Sequence, residues 1–309
     1  MKQYFQKEEK QIEDYIVLKD YPYSIVVEPT AYCNLRCKMC ANATMKREKG
    51  YMDFELYKKI VDQVAENFAD TNFWINGYGE PLLHKEIFDM VGYASHRGIK
   101  KTFMNTNAMF LDEEAADRLI QAGIYCVVVS FDGFAKRTYE TMRAGANRDV
   151  VIQNVTAFLE RIKGIKGEKP LVELQFIEMP ETILEKDEWL AFWQGKGAHI
   201  KIKPYITWGG RMETHHEILG ERNACGVCNA LHIYWNGKVP YCICDVDGEA
   251  VFADVREEKL SDIWNEKKQN FSEYHITHQF DKLPLFCQRC PDWYAMPAKH
   301  YDEYGNEVL

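Results

Sequence analysis

Three cysteines, Cys33, Cys37 and Cys40, fall within eight residues of one another in the segment Cys33-Asn34-Leu35-Arg36-Cys37-Lys38-Met39-Cys40. The spacing is C-x3-C-x2-C. Thiolates crowded onto one short loop are soft metal ligands, and three of them can hold three irons of a cubane 4Fe–4S cluster while leaving the fourth iron open. Completed by a nearby imidazole such as His84, the same loop would hold zinc instead. A second group contains Cys225, Cys228, Cys242, Cys244, Cys287 and Cys290, and Cys126 stands alone. Cysteines clustered at close spacings in a reducing compartment are metal ligands rather than disulfides. The C-x2-C pairs at 225–228 and 287–290 suit a zinc ribbon and an iron–sulfur site equally well.

The elements that must position these groups follow from periodicity. Six β-rich runs, Ser24–Glu28, Thr71–Asn76, Lys100–Met104, Tyr125–Phe131, Leu171–Glu178 and His199–Lys203, alternate with helical patterns. The helices are predicted at Phe54–Phe68 (capped by Asp53), Lys85–Arg97, Asp112–Ala122, Asp149–Lys163 and Ile183–Gln194. Such alternation means parallel strands with right-handed crossovers. Six units are fewer than a closed barrel needs, so the fold class is α/β, a partial (β/α)6 TIM-like barrel. The cysteine triplet directly follows the first strand, at the end of the barrel where such folds place their chemistry. Cys126, inside an apolar strand, reads as a buried small hydrophobe. After Pro204 the alternation stops. Ala230–Trp235 and Val239–Cys244, joined by Asn236-Gly237-Lys238, predict a β-hairpin, and Ser261-Asp262-Ile263-Trp264 opens a helix. The chain thus divides into an N-terminal extension (1–22), the barrel (23–205) and a small α+β module (206–309).

With Met39 before its last cysteine, the triplet resembles the signature of the radical S-adenosylmethionine (SAM) superfamily. Further segments resemble that family in order: Gly77-Tyr78-Gly79-Glu80-Pro81 after the second strand, Asn105-Thr106-Asn107 ending the third, Ser130-Phe131-Asp132-Gly133 ending the fourth, and Tyr139-Glu140-Thr141-Met142-Arg143. Tyr78 stands where the family's short form has glycine. The resemblance implies that Cys33, Cys37 and Cys40 bind a cluster whose open iron chelates SAM. It also implies that Met39, Gly79, Glu80, Asn105, Asn107, Ser130 and Arg143 surround the SAM molecule, Arg143 at its carboxylate. Gln175, in the fifth strand, either faces that site or fills the barrel.

Gly237 to Cys242, followed by Leu260-Ser261-Asp262-Ile263-Trp264, resembles the auxiliary-cluster modules called twitch and SPASM, and the shorter, one-cluster twitch form fits better. Its ligands are then expected to be Cys225, Cys242, Cys287 and Cys290, with Cys228 the alternative to Cys225. Cys228 and Cys244 are left as candidate hydrogen-atom donors, or as residues that pack or serve as alternative ligands. The implied cofactors are SAM and two 4Fe–4S clusters, served by an electron donor such as flavodoxin or ferredoxin. The expected reaction is hydrogen abstraction from a carbohydrate-like (aminocyclitol or aminoglycoside) or other small polar substrate, ending in oxidation or epimerisation. Peptide modification is the second expectation, weakened by an extension of only about 22 residues, and a zinc scaffold is the non-enzymatic one. The net charge of −9 disfavours nucleic acid. No run of 18 apolar residues predicts a membrane span, and the polar N-terminus predicts a cytoplasmic protein.

Overall fold

The computed structural model describes residues 20–213, 222, 225, 229–294, 299–301 and 307–308. Strands β1 (Ser24–Val27), β2 (Asn72–Ile75), β3 (Thr102–Thr106), β4 (Cys126–Ser130), β5 (Leu171–Glu178) and β6 (His199–Pro204) lie side by side in chain order, all parallel. Between them run helices α1 (Phe54–Asn67), α2 (Ile87–His96), α3 (Glu113–Gln121), α4 (Lys136–Met142), α5 (Arg148–Lys163) and α6 (Lys186–Trp193). The Asp53 side chain caps α1, accepting from the Glu55 and Leu56 amides at 2.9 and 3.1 Å. This satisfies two of the orphan donors of its first turn. Helix α4 was not anticipated.

Alternation along each strand sorts the side chains. Ile25, Val27, Phe73, Ile75, Val127 and Leu174 are fully buried against the inner stripes of the helices. Each such side chain contributes about 1.5–3 kcal/mol when removed from water. The alternate residues face the lumen. There Trp74 stacks on Phe103 with ring centroids 4.5 Å apart, and Lys201 pairs with Glu173 at 3.0 Å. This layer lines the lumen below the C-terminal strand ends.

The sheet carries more than the six expected strands. β7 (Ala230–Ile233) adds a seventh parallel strand beside β1, in register Ile25↔Leu231 and Val27↔Ile233. Beyond β6 the antiparallel strands β10 (Lys299–Tyr301) and β11 (Glu307–Val308) extend the opposite edge, so the sheet stays open. The expected hairpin is therefore corrected. The turn at Tyr234–Gly237 exists, closed by Gly237 N to Tyr234 O at 2.9 Å. Its two arms diverge, however: β7 joins the barrel sheet while β8 (Lys238–Pro240) pairs antiparallel with β9 (Val251–Asp254). The reason is burial. Leu231 and Ile233 complete the barrel core, and pairing with β1 covers an otherwise open edge. Cys242 and Cys244 consequently sit in the loop between β8 and β9 rather than in a strand.

One buried ion pair ties these parts together. Both Arg47 terminal nitrogens donate to the Glu28 carboxylate, at 2.9 and 3.0 Å, with only 7% and 3% of the side chains exposed. Glu28 also accepts from the Trp235 and Tyr78 amides, at 3.1 and 3.4 Å. Arg47→Met would leave that carboxylate buried without its counter-charge, an expected loss of about 3–5 kcal/mol. Urea unfolding of the metal-free protein would measure it, and a change within 1 kcal/mol of zero (the order of a surface pair) would contradict the reading.

Candidate active site

The triplet loop leaves the C-terminal end of β1 and is fixed by backbone bonds on both sides. The Arg36 amide donates to Ala144 O at 2.8 Å, and the Lys38 amide to Met142 O at 2.9 Å. Gly145, at φ +98°, brings the 143–146 turn against Asn34 and Leu35. That left-handed conformation favours glycine. Each of the three sulfurs meets an N–H group: Leu35 N at 3.4 Å from Cys33, Asn42 N at 3.4 Å from Cys40, and Arg143 Nη1 at 3.8 Å from Cys37. Burial raises the pKa of all three thiols, that of Cys40 to about 12. A bound cation reverses this preference, because a metal-coordinated thiol is deprotonated.

The Gly77-Tyr78-Gly79-Glu80 segment is packed directly against the loop's entry. A Cβ on Gly79 would stand 2.2 Å from Thr30 O and 2.5 Å from Tyr32 O, so no side chain fits there. Tyr78 is accommodated with its ring buried beside Ala41, Tyr234 and Trp208 while its carbonyl accepts from Asn42 Nδ2 at 2.8 Å. The Glu80 carboxylate is taken up by Thr106 Oγ1 at 2.7 Å, Asn107 N at 2.8 Å and Leu82 N at 3.1 Å. Burial raises its pKa, and these donors partly offset that rise. Asn107 Nδ2 reaches Asn34 Oδ1 at 2.9 Å, and Ser130 Oγ donates to Asn105 Oδ1 at 2.9 Å. Met39 packs with Met142, Met179 and Tyr205 beside Cys37.

Arg143 is buried and paired with Asp132 through Nη2, and no hydrogen bond among the described residues engages its buried Nε. Asp132 also accepts from Ile177 N at 2.6 Å. Gln175 is buried on the lumen side, opposite Ser130 in register. His84 cannot complete a zinc site here: Nε2 contacts Met52 O at 3.0 Å and Nδ1 accepts from Glu86 N at 3.2 Å. Cys126 is buried at the base of the lumen, near Glu173 and Lys201.

The C-terminal cysteines gather as well. Cys225, Cys242, Cys244, Cys287 and Cys290 line one cavity, walled by Phe271, Phe286 and Trp293. Cys228 lies outside the described residues. Cys244 is buried within hydrogen-bonding reach of Cys242 and Cys290. The buried Asp292 carboxylate accepts from Thr207 N and Gly209 N, each at 2.7 Å, and from Thr207 Oγ1 at 2.9 Å. Trp208 Nε1 donates to Met39 O at 2.8 Å. The two sulfur-rich sites are therefore fastened to each other through residues 207–209. The cysteine donors of the loop and of the cavity are thiolates, the ligand class that holds 4Fe–4S clusters, so the residues present fit such groups.

Sequence reasoning missed Asn42, Asp132, Lys203, Trp208 and Asp292. Asp132 had a local signal, sitting two residues beyond Ser130 at a strand end. The others act through partners distant in sequence. Lys203 projects from β6 on the lumen side, and no hydrogen bond or ion pair among the described residues engages its amine. Burial, then the neighbouring Lys201, pulls its pKa down to about 8. The charged form is thus penalised in the folded state, fully below pH 8 and progressively less as the pH rises towards the ordinary lysine value of about 10.4. Lys203→Met is expected to raise the thermal midpoint of the metal-free protein at pH 7, with the gain shrinking towards pH 10. An equal gain at both pH values would contradict the assignment.

Comparison with known proteins accords with this geometry. The family profile described as the radical SAM superfamily matches residues 27–185, and that of an iron–sulfur cluster-binding domain, SPASM, matches residues 225–291. The chain is 36% identical over 291 residues to the tungsten-containing aldehyde ferredoxin oxidoreductase cofactor-modifying protein of Pyrococcus furiosus, covering 79% of this chain and 81% of that one. It is 24% identical over 285 residues to the S-adenosyl-L-methionine-dependent 2-deoxy-scyllo-inosamine dehydrogenase of Niallia circulans, covering 90% and 96%. Streptococcus suis SuiB, solved bound to its precursor peptide SuiA, shares the fold with a TM-score of 0.66 at 15% identity, over 92% of this chain and 72% of SuiB. No helix among the described residues is long and apolar enough to cross a membrane. The chain belongs to the radical SAM superfamily and is an enzyme of that family, carrying a C-terminal SPASM-like module and using SAM and two 4Fe–4S clusters.

Proposed function

We propose that the enzyme oxidises a small, polar, hydroxyl-bearing substrate, carbohydrate-like or cofactor-like, beginning with abstraction of a hydrogen atom. When bound, the first cluster and SAM supply a 5′-deoxyadenosyl radical, and the auxiliary cluster supplies a one-electron acceptor. The observation that carries this reading is the cysteine-lined cavity fastened to the triplet loop by Trp208 and Asp292. Removing a hydrogen atom leaves a carbon-centred radical. Completing the oxidation to a carbonyl requires the loss of one more electron and one proton, and a cluster held by the cavity's cysteines would accept that electron. Two relatives aligned over most of their length act, by name, on a cofactor and on an inosamine, which supports a small substrate over a peptide.

In this reading Cys33, Cys37 and Cys40 hold the SAM-binding cluster. Cys225, Cys242, Cys287 and Cys290 hold the auxiliary one, in a module of residues 206–309 that lends strand β7 to the barrel. Gly79 lets the backbone approach SAM. Glu80 orients the strand ends through Thr106 and Asn107, while Asn107 and the hydrogen-bonded pair Asn105 and Ser130 form a polar edge for the nucleoside. The Arg143 Nε donor is available to the SAM carboxylate, with Asp132 and Met39 fixing the guanidinium and its apolar floor. Cys244 lies among the cluster ligands rather than in the lumen, which favours packing or ligand exchange over hydrogen-atom donation. Electrons for SAM cleavage come from a small carrier such as flavodoxin or ferredoxin.

Anaerobically reconstituted enzyme with SAM, a reductant and a panel of aminocyclitols, sugars and peptides tests the proposal. Formation of 5′-deoxyadenosine stimulated by a carbinol substrate, with a carbonyl product, is expected. Stimulation by peptides alone would overturn it. Cys37→Ala should abolish 5′-deoxyadenosine while iron and sulfide fall by about half, the auxiliary cluster persisting.

A further inference from the structure

The sulfur of Cys287 sits between two nitrogen-bearing side chains. Arg222 Nη2 lies 3.4 Å from it, and His275 Nε2 lies 3.6 Å from it. Arg222 is held in place by its other terminal nitrogen, Nη1, which donates to Cys287 O at 2.6 Å and Gln288 O at 3.1 Å. Its guanidinium also lies over the Phe280 ring, 4.7 Å from the centroid. His275 is 1% exposed and meets Phe271 edge-on at 5.0 Å. Both side chains line the cysteine cavity, whose walls beyond the thiols are otherwise Phe271, Phe286, Trp293 and the Asp292 carboxylate, the last already engaged by Thr207 and Gly209.

We propose that Arg222 and His275 raise the reduction potential of the auxiliary cluster, setting it to accept an electron from the substrate radical. The inference rests on the reading above that Cys287 is a cluster ligand. Reduction adds negative charge to the cluster and its thiolates. A fixed cation and an N–H donor at a ligand sulfur stabilise that added charge and so favour the reduced state. Aromatic walls strengthen the effect by excluding water. Arginine suits the task because it stays charged throughout the accessible pH range. With Cys287 as thiolate, His275 Nε2 must carry the proton to make its contact favourable, so both groups donate to sulfur.

The test uses the full chain with Cys33, Cys37 and Cys40 changed to Ala, so that only the auxiliary cluster contributes to the signal. An anaerobic redox titration followed by electron paramagnetic resonance reads its midpoint potential. Arg222→Gln and His275→Phe are each expected to shift the midpoint to more negative values, with a larger shift in the double variant. Arg222→Lys should retain most of the original potential. Fully loaded variants with an unchanged midpoint would overturn the proposal. Loss of iron from both single variants would overturn it too, assigning the side chains to loop packing. If the triple-alanine parent binds no iron or sulfide, it is the ligand reading, and not the tuning, that has failed.

Discussion

The buried pair between Glu28 and Arg47 is the contact on which the arrangement of the site depends. Glu28 ends the first strand, and Arg47 belongs to the segment that returns from the triplet loop. The same carboxylate takes the amides of Tyr78 and Trp235, while the guanidinium lies 3.9 Å from the Tyr234 ring and donates to Val246 O at 3.3 Å. Three further pieces of chain thus converge on these two side chains. Burying both charges costs several kcal/mol of hydration per ion, so the pair is not retained for stability alone. Its bidentate geometry fixes direction as well as distance. The loop that carries the sulfurs cannot shift relative to the barrel or to β7 without breaking it.

A second constraint follows from chain connectivity. Residues 207–209 leave the barrel after β6 and meet both sulfur sites within three positions. Trp208 adopts φ +55° to do so. That conformation costs a bulky residue of order 1–3 kcal/mol and persists only where surrounding contacts over-determine it. Here those contacts are its indole hydrogen bond to Met39 O and its packing on Tyr78, ring centroids 5.5 Å apart. Strain at this position is consistent with a junction that must set one separation between two redox groups.

The barrel was legible because its signals are local. Six strands and five of six helices follow from apolar periodicity, and the Asp53 cap is visible from one residue. The triplet and its companion segments could be placed because each lies immediately after a strand that periodicity already defines. β7 illustrates the opposite case. Leu231 and Ile233 look like one arm of a hairpin, since Asn-Gly is a strong turn signal, and the turn does form. Which strand they join is decided by the open edge of β1, and nothing within ten residues records that competition. Asp292, Trp208 and Arg222 escaped for the same reason: each is an ordinary residue type made significant by a partner far away in sequence.

The charge pattern of the lumen explains why the substrate stays anonymous while the cofactor chemistry does not. Arg143 is matched by Asp132, and Lys201 by Glu173, so two of the lumen's cations are internally neutralised. Among the described residues Lys203 has no such partner, and burial lowers its pKa to about 8, where it can serve either as a cation or as a neutral amine. A single lysine of this kind recognises a charge or a hydrogen-bond acceptor, not a molecular framework. By contrast, three half-buried thiols with raised pKa values are jointly unfavourable as anions until a metal supplies the opposing charge. That electrostatic demand is specific enough to be written in a spacing of eight residues, whereas a pocket for one sugar rather than another is written in shape, and shape is distributed over the whole barrel mouth.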